Sequence, residues 1–162
     1  MNLAATAPGW LAFLLVLLLG LAAAEDAWRM RISNVIIVAI LAGAVVAAFL
    51  VDPTSALWQN LALFAALLAL GMPAFAAGKL GGGDVKLMAV SGAWFDFDGG
   101  LLMVICTLLG GGVLTLLILL LRVFSWPENI RKRIAVLRAG SGIPYGVAIA
   151  AGSIIATSLK WD

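Results

Sequence analysis

Six stretches of this chain, roughly 7–25, 32–51, 56–77, 84–95, 100–123 and 142–159, are so apolar that they dictate the solvent in which it folds. A spanning helix needs about 20 mostly apolar residues, because backbone N–H and C=O groups in hydrocarbon must find partners inside the segment. Five of the six stretches approach that length, and the fourth is shorter. Of 162 residues, 64% are hydrophobic and 11% charged, a balance that cannot clothe a water-soluble core. The sequence therefore predicts an all-α polytopic membrane protein of six transmembrane helices in one domain, 1–162. Ala22-Ala23-Ala24 after a leucine run has the look of a signal-peptide cleavage site, but Met1 to Trp10 carry no Lys or Arg, so the first helix is expected to be retained.

Orientation follows from the cations, which concentrate on the cytoplasmic side of membrane segments. Arg29 and Arg31 lie between the first two segments, Lys79 and Lys86 flank the third junction, and Arg122, Arg131, Lys132, Arg133 and Arg138 fill the fifth. The second and fourth junctions carry only acids, Asp52, Asp96 and Asp98, which read as solvated turn residues beside Pro and Gly. An N-out/C-out arrangement fits everything except Lys160, and it places Asp26 and Asp84 on the same, cytoplasmic side. Over 125–138, Ile130, Ile134 and Leu137 share one helical face with Arg131, Lys132 and Arg138 largely off it, which predicts a basic amphipathic helix on the inner leaflet. Lipid is thus an expected partner. A net charge of +2 is too small to point to nucleic acid.

The stretch Gly78-Lys79-Leu80-Gly81-Gly82-Gly83-Asp84-Val85-Lys86-Leu87 is a glycine-rich break ending in an acid. From Asp84 to Trp94-Phe95, a pair that would mark the outer interface, the helix advances only about 16 Å. In a hydrocarbon core of about 30 Å, Asp84 then lies below the surface and must face protein or water. Irregular backbone at Gly81-Gly82-Gly83 is tolerated there only if buried in protein or lining a wet cavity, which a kink at Gly71 and Pro73 would open. Asp26, at the end of the first segment, is the potential partner. Glu25 beside it is a rival that spacing does not eliminate. Two carboxylates in a dry site share a proton, and the pair can then activate a water, which is the chemistry of aspartyl proteolysis. Glycines let an extended substrate backbone approach such a pair.

Other chemistries find less support. Gly78-Lys79 lacks the Ser or Thr and the earlier glycine of a phosphate loop, and no strand precedes the run as a dinucleotide site requires. With no histidine and one cysteine, Cys106, in an apolar run, neither a zinc site nor a disulfide is expected, and no cofactor. A small transporter relaying protons or cations through the two aspartates is the main rival, although both acids fall at one end and no inverted repeat is evident. A structural subunit of a secretion machine, its acids paired with Arg29, Arg31 or Lys86, is another.

Three motifs in order carry a family resemblance: Asp26-Ala27-Trp28-Arg29-Met30-Arg31-Ile32-Ser33-Asn34, Gly81-Gly82-Gly83-Asp84-Val85-Lys86 and Ile143-Pro144-Tyr145-Gly146. With them the chain resembles the prepilin peptidases (type IV prepilin leader peptidases), whose second motif is Gly-x-Gly-Asp-x-Lys, and within them the short form associated with Tad-type (Flp) pili. The resemblance implies Asp26 rather than Glu25 as first catalytic acid, Asp84 as second, and Gly81, Gly83, Asn34 and Lys86 as supporting residues. For Asn34 a bond near the acids and a helix-start role both remain open, as does snorkelling for Lys86. The implied substrate is a prepilin or pseudopilin in the bacterial inner membrane, its basic leader removed on the cytoplasmic side after a glycine just before a hydrophobic helix. Ser33 stands where the family usually has proline, and Ser can cap a helix in its place. Larger members also methylate the new amino terminus and often carry Cys-x-x-Cys pairs in an inserted domain. This chain has neither insertion nor paired cysteines, so cleavage without methylation is expected.

Overall fold

The computed structural model describes residues 1–51, 57–124, 127–128 and 142–159. Its described residues form only helices: α1 (Leu3–Thr6), α2 (Gly9–Arg29), α3 (Asn34–Val51), α4 (Leu57–Ala76), α5 (Gly82–Gly92), α6 (Phe97–Val123) and α7 (Tyr145–Ser158). Four of them, α2, α3, α4 and α6, are long and apolar enough to cross a membrane. The fourth and sixth apolar stretches become α5 and α7, of 11 and 14 residues, or roughly 16 and 21 Å. Asp52 and, apart from Pro127 and Glu128, the amphipathic helix expected over 125–138 lie outside the described residues.

Large apolar side chains cover the outside, among them Phe13 on α2, Val35 and Phe49 on α3, Leu61 and Leu70 on α4, and Leu101 and Leu108 on α6. An apolar surface that extensive suits lipid and not water. The short α5 sits inside, packed against α3, α4 and α7. From Leu87 to Gly92 nearly every residue is buried. Enclosed along its second half, with Lys86 exposed nearer its start, α5 shows little of an amphipathic stripe. On the other flank α7 packs against α2 and α6.

Trp94 and Phe95 do not mark a lipid interface as the sequence predicts: they are 1% and 0% exposed. The Trp94 indole Nε1–H donates to the Ile40 carbonyl at 3.0 Å, and its ring lies where a Cβ on Gly43 would stand at 2.9 Å. A buried indole needs a partner for its N–H, and here it joins the end of α5 to α3. The same end holds α1, which the sequence does not reveal. Asn2 Oδ1 accepts the Ala5 N–H at 3.2 Å, and the Ala4 N–H donates to the Trp94 carbonyl at 3.0 Å. Asn60 of α4 completes this end, its amide donating to the carbonyls of Met1 and Ala93 at 3.0 and 3.1 Å.

Asp96 is a helix cap rather than a solvated turn residue, its Oδ1 accepting the Gly99 N–H at 3.0 Å at the start of α6. Asp98 is exposed in that first turn, where a negative charge suits the helix dipole. Arg122 lies at the far end of α6, about 36 Å along its axis. At that far end α2 closes, α5 opens and α7 opens, so Asp26 and Asp84 meet at the end away from Asp96 and Asp98.

Because Trp94 joins three elements, Trp94→Ala leaves both a cavity and an unbonded position beside Ile40. The expected loss is about 3–5 kcal/mol, read as a lower unfolding midpoint in detergent. Trp10→Ala, at a lipid-facing residue 58% exposed, is expected to change stability by no more than about 0.5 kcal/mol.

Candidate active site

Helix α2 runs four residues past the apolar stretch, to Arg29, and Asp26 lies in its last turn. Met30 then adopts a left-handed conformation (φ 53°) and its N–H bonds back to the Asp26 carbonyl at 2.8 Å, closing the helix. Neighbours on a helix point about 100° apart, and that separates the two rival acids. Glu25 turns to the connection with α3: its Oε2 accepts the Ser33 N–H at 2.8 Å and its Oε1 the Arg29 guanidinium at 3.4 Å. Asp26 turns inward and is buried, with Oδ2 accepting the Gly146 N–H at 2.8 Å.

Asp84 stands in the first turn of α5 with Oδ2 above Gly81, where a Cβ would lie 2.8 Å from it. The irregular backbone of the glycine break lies earlier than expected, over 77–81 between α4 and α5. Gly81 is the extended cap residue, φ −71°, and Gly82 and Gly83 are already helical. The positive φ belongs to Gly78, at 68°, which reverses the chain after α4. What the run supplies is closeness. A Cβ on Gly82 would meet the Phe75 ring at 3.1 Å, and one on Gly83 would meet Ile32 Cβ at 3.3 Å and its backbone N at 3.5 Å. Gly71 serves the same purpose, its imagined Cβ 2.6 Å from Val85, while Pro73 sits on the exposed side of α4. The opening turn of α5 is thereby wedged between the end of α4 and the turn from α2 to α3.

The two carboxylates line a recess of about 230 Å³ with Met30, Arg31, Ile32 and Gly81 to Gly83. They also line a second of about 510 Å³ that extends past Lys79, Leu80 and Arg122 to Ile143 and Tyr145. The pair thus stands between two openings with Arg31, Lys79 and Arg122 around them. Among the expected supporting residues, Gly81 and Gly83 line the smaller recess. Asn34 and Lys86 line neither, and bond to each other on the exposed side, Nζ to Oδ1 at 3.2 Å. Ser33 occupies the cap position of α3, with Oγ 3.5 Å from the Ile36 N–H. Cys106 is half-buried on α6, and among the described residues no three His, Cys, Asp or Glu side chains gather as metal ligands would. Gly146 is the residue whose part sequence reasoning missed. Its one signal is a glycine just inside a helix that opens with proline.

An apolar helical bundle with two acids converging at one end defines a polytopic membrane protein organised around a carboxylate pair. A family model described as the type IV leader peptidase family matches residues 13–122, more than half of the chain, and the protein belongs to that family, the prepilin peptidases. The matched segment contains both Asp26 and Asp84 and ends before Gly146. Comparison with curated proteins and with solved structures gives no match.

The division of labour between the adjacent acids is open to measurement. Glu25→Ala removes the acceptor from the Ser33 N–H and frees the turn between α2 and α3. The expected cost is about 1.5–3 kcal/mol, the worth of a hydrogen bond to a charged group, seen as a lower unfolding midpoint in detergent.

Proposed function

We propose that this peptidase is an aspartic endopeptidase in which Asp26 and Asp84 together activate a water against the peptide bond joining a prepilin or pseudopilin to its basic leader. The observation that carries the reading is the meeting of these two acids, from helices distant in sequence, in one recess, with the Gly146 amide bonded to Asp26. Sharing one proton, the pair has both roles available at once. The unprotonated carboxylate takes a proton from water as its oxygen attacks the scissile carbonyl, and the protonated one donates to the carbonyl oxygen. The tetrahedral diol collapses as its C–N bond breaks: the carboxyl that took the water proton gives one to the departing nitrogen, the other carboxylate takes one from a diol hydroxyl, and the pair again holds a single proton.

The substrate must cross the acids as an extended strand, because a helical carbonyl is already bonded and shielded. Recesses on both sides of the pair suit such a strand, and the bare backbone at Gly81 to Gly83 admits a close approach. Cleavage after a glycine before the substrate's apolar helix sets the bond at the membrane boundary. Gathering of Arg29, Arg31, Lys79 and Arg122 near this end supports a cytoplasmic orientation by the positive-inside rule. Asp96 and Asp98 lie at the other end. In the six-pass, N-out/C-out arrangement in the inner membrane, α5 and α7 begin below the inner surface and so need not match its full thickness. The short Tad/Flp type is the subtype favoured by the motifs.

Coexpression with a prepilin tests the assignment. The parent is expected to process it, Asp26→Asn and Asp84→Asn are expected to leave it unprocessed, and Asp96→Asn, which keeps a capping side chain, is expected to remain active. Processing by either dyad variant would remove the aspartic mechanism.

The second expectation concerns the product. In a host lacking any other pilin methyltransferase, mass spectrometry of the mature pilin should show an unmodified amino terminus. A mass increase of one methyl group would show that this chain also methylates.

A further inference from the structure

We infer that Gly146 is a positioning residue of the acid pair: its backbone amide holds the Asp26 carboxylate, and only a residue without a side chain lets α7 come close enough to do so. The inference rests on the peptidase reading for its consequence, but its structural content stands separately.

Helix α7 opens without a side-chain cap, since Pro144 occupies the cap position and has none to offer. The first N–H groups of a helix lack partners within it and are met by capping groups or water. Here the cap comes from the other side of the bundle, as Asp26 Oδ2 accepts the Gly146 N–H at 2.8 Å. A Cβ at position 146 would lie 2.8 Å from that same oxygen, 2.8 Å from Ile32 Cδ1 and 3.0 Å from Asp26 Cβ. Oδ2 is half of the charged group itself, so an added methyl at 146 displaces the carboxylate or the helix.

The helix has little freedom to yield. A Cβ on Gly152 would stand 2.7 Å from the Thr107 backbone N and 2.9 Å from the Met103 carbonyl oxygen, and one on Gly111 of α6 would stand 3.3 Å from the Tyr145 ring. These contacts seat α7 on α6, and the amide is in place before any substrate arrives. The choice of donor also matters chemically. A Lys or Arg against Asp26 would hold it ionised throughout, whereas one amide orients an acid that must gain and lose a proton.

The test uses the full chain and a purified prepilin substrate. Alanine favours a helix more than glycine does, and Gly146→Ala is expected to fold but to lose at least about tenfold in kcat, as misplacement of reacting groups does, with KM within about twofold of the parent. Adding Ile32→Val removes the Cδ1 contact and is expected to restore nothing. Gly110→Ala, where a Cβ meets nothing within 4 Å, is expected to behave as the parent. Parental kcat in Gly146→Ala, a change confined to KM, or rescue by Ile32→Val would overturn the inference. Hydrogen exchange supplies a reading that needs no change at 146. Asp26→Ala should raise exchange at the Gly146 amide, and unchanged protection there would overturn the clasp even if the variants at 146 failed to accumulate. Were Asp26→Asn or Asp84→Asn to cleave, the peptidase reading would fail, and hydrogen exchange would still decide whether the amide holds Asp26.

Discussion

A carboxylate brought among apolar helices must be met by donors or by water, because leaving it bare costs several kcal/mol. Much at this end of the bundle follows from meeting Asp26 and Asp84. Asp26 faces inward only because α2 continues to Arg29 and a left-handed Met30 turns the chain away. Asp84 can lie beside it only because α5 starts deep, wedged by glycines between α4 and the α2–α3 turn. The Gly146 amide then answers Asp26 from a third element. Three helix ends and a turn are held together by the requirements of two side chains.

Glycine is the means by which a bundle of this kind closes. In lipid the hydrophobic effect does not drive helices together, so close backbone approach and dense packing carry more of the association. The glycines here act in that way: Gly43 receives the Trp94 ring, Gly92 and Gly100 receive Leu67 and Leu63, and Gly152 lies on the backbone of α6. Only Gly78 among the described glycines needs a conformation with positive φ. The same residue type therefore serves two different physical ends, and the one that reads most plainly from a Gly-Gly-Gly run, backbone irregularity, is not the one used at Gly81 to Gly83.

What was legible in the chain was what each segment shows by itself. Apolar length announces α2, α3, α4 and α6, and the alternation of cations and acids at the junctions brings Asp26 and Asp84 to one end. Enclosure was not legible. Trp94 and Phe95 look like an aromatic belt because aromatic residues at the end of an apolar run usually meet headgroups. They are buried because α5 is surrounded, a fact about its neighbours that its own residues do not encode. For the same reason spacing could not separate Glu25 from Asp26, since the choice depends on which side the turn to α3 folds, and Ser33 decides that by donating to Glu25. Helix α1 has four residues, too few for any periodicity, and is defined by its contact with Trp94. Helical spacing already turned Lys86 off the face of Asp84, two residues along a helix pointing about 200° apart, but it could not foresee that Lys86 would meet Asn34 outside the recess.

The shortness of α5 and α7 ties these observations together. A helix of full spanning length would carry its first turn to the membrane surface, and an acid there would be solvated like any other. In the proposed topology, starting α5 and α7 lower would put Asp84 and the Gly146 amide at a depth where irregular backbone and ionisable groups survive only around a cavity. The recesses on either side of the pair would be that cavity, with Arg31, Lys79 and Arg122 among their lining residues. Hydrolysis needs water, and a peptide bond beside an apolar helix lies where water is scarce. On the proposed peptidase reading, two truncated helices would resolve that conflict by bringing a wet pocket down to the acids, so that the substrate's apolar segment could stay in lipid while the bond before it met the pair.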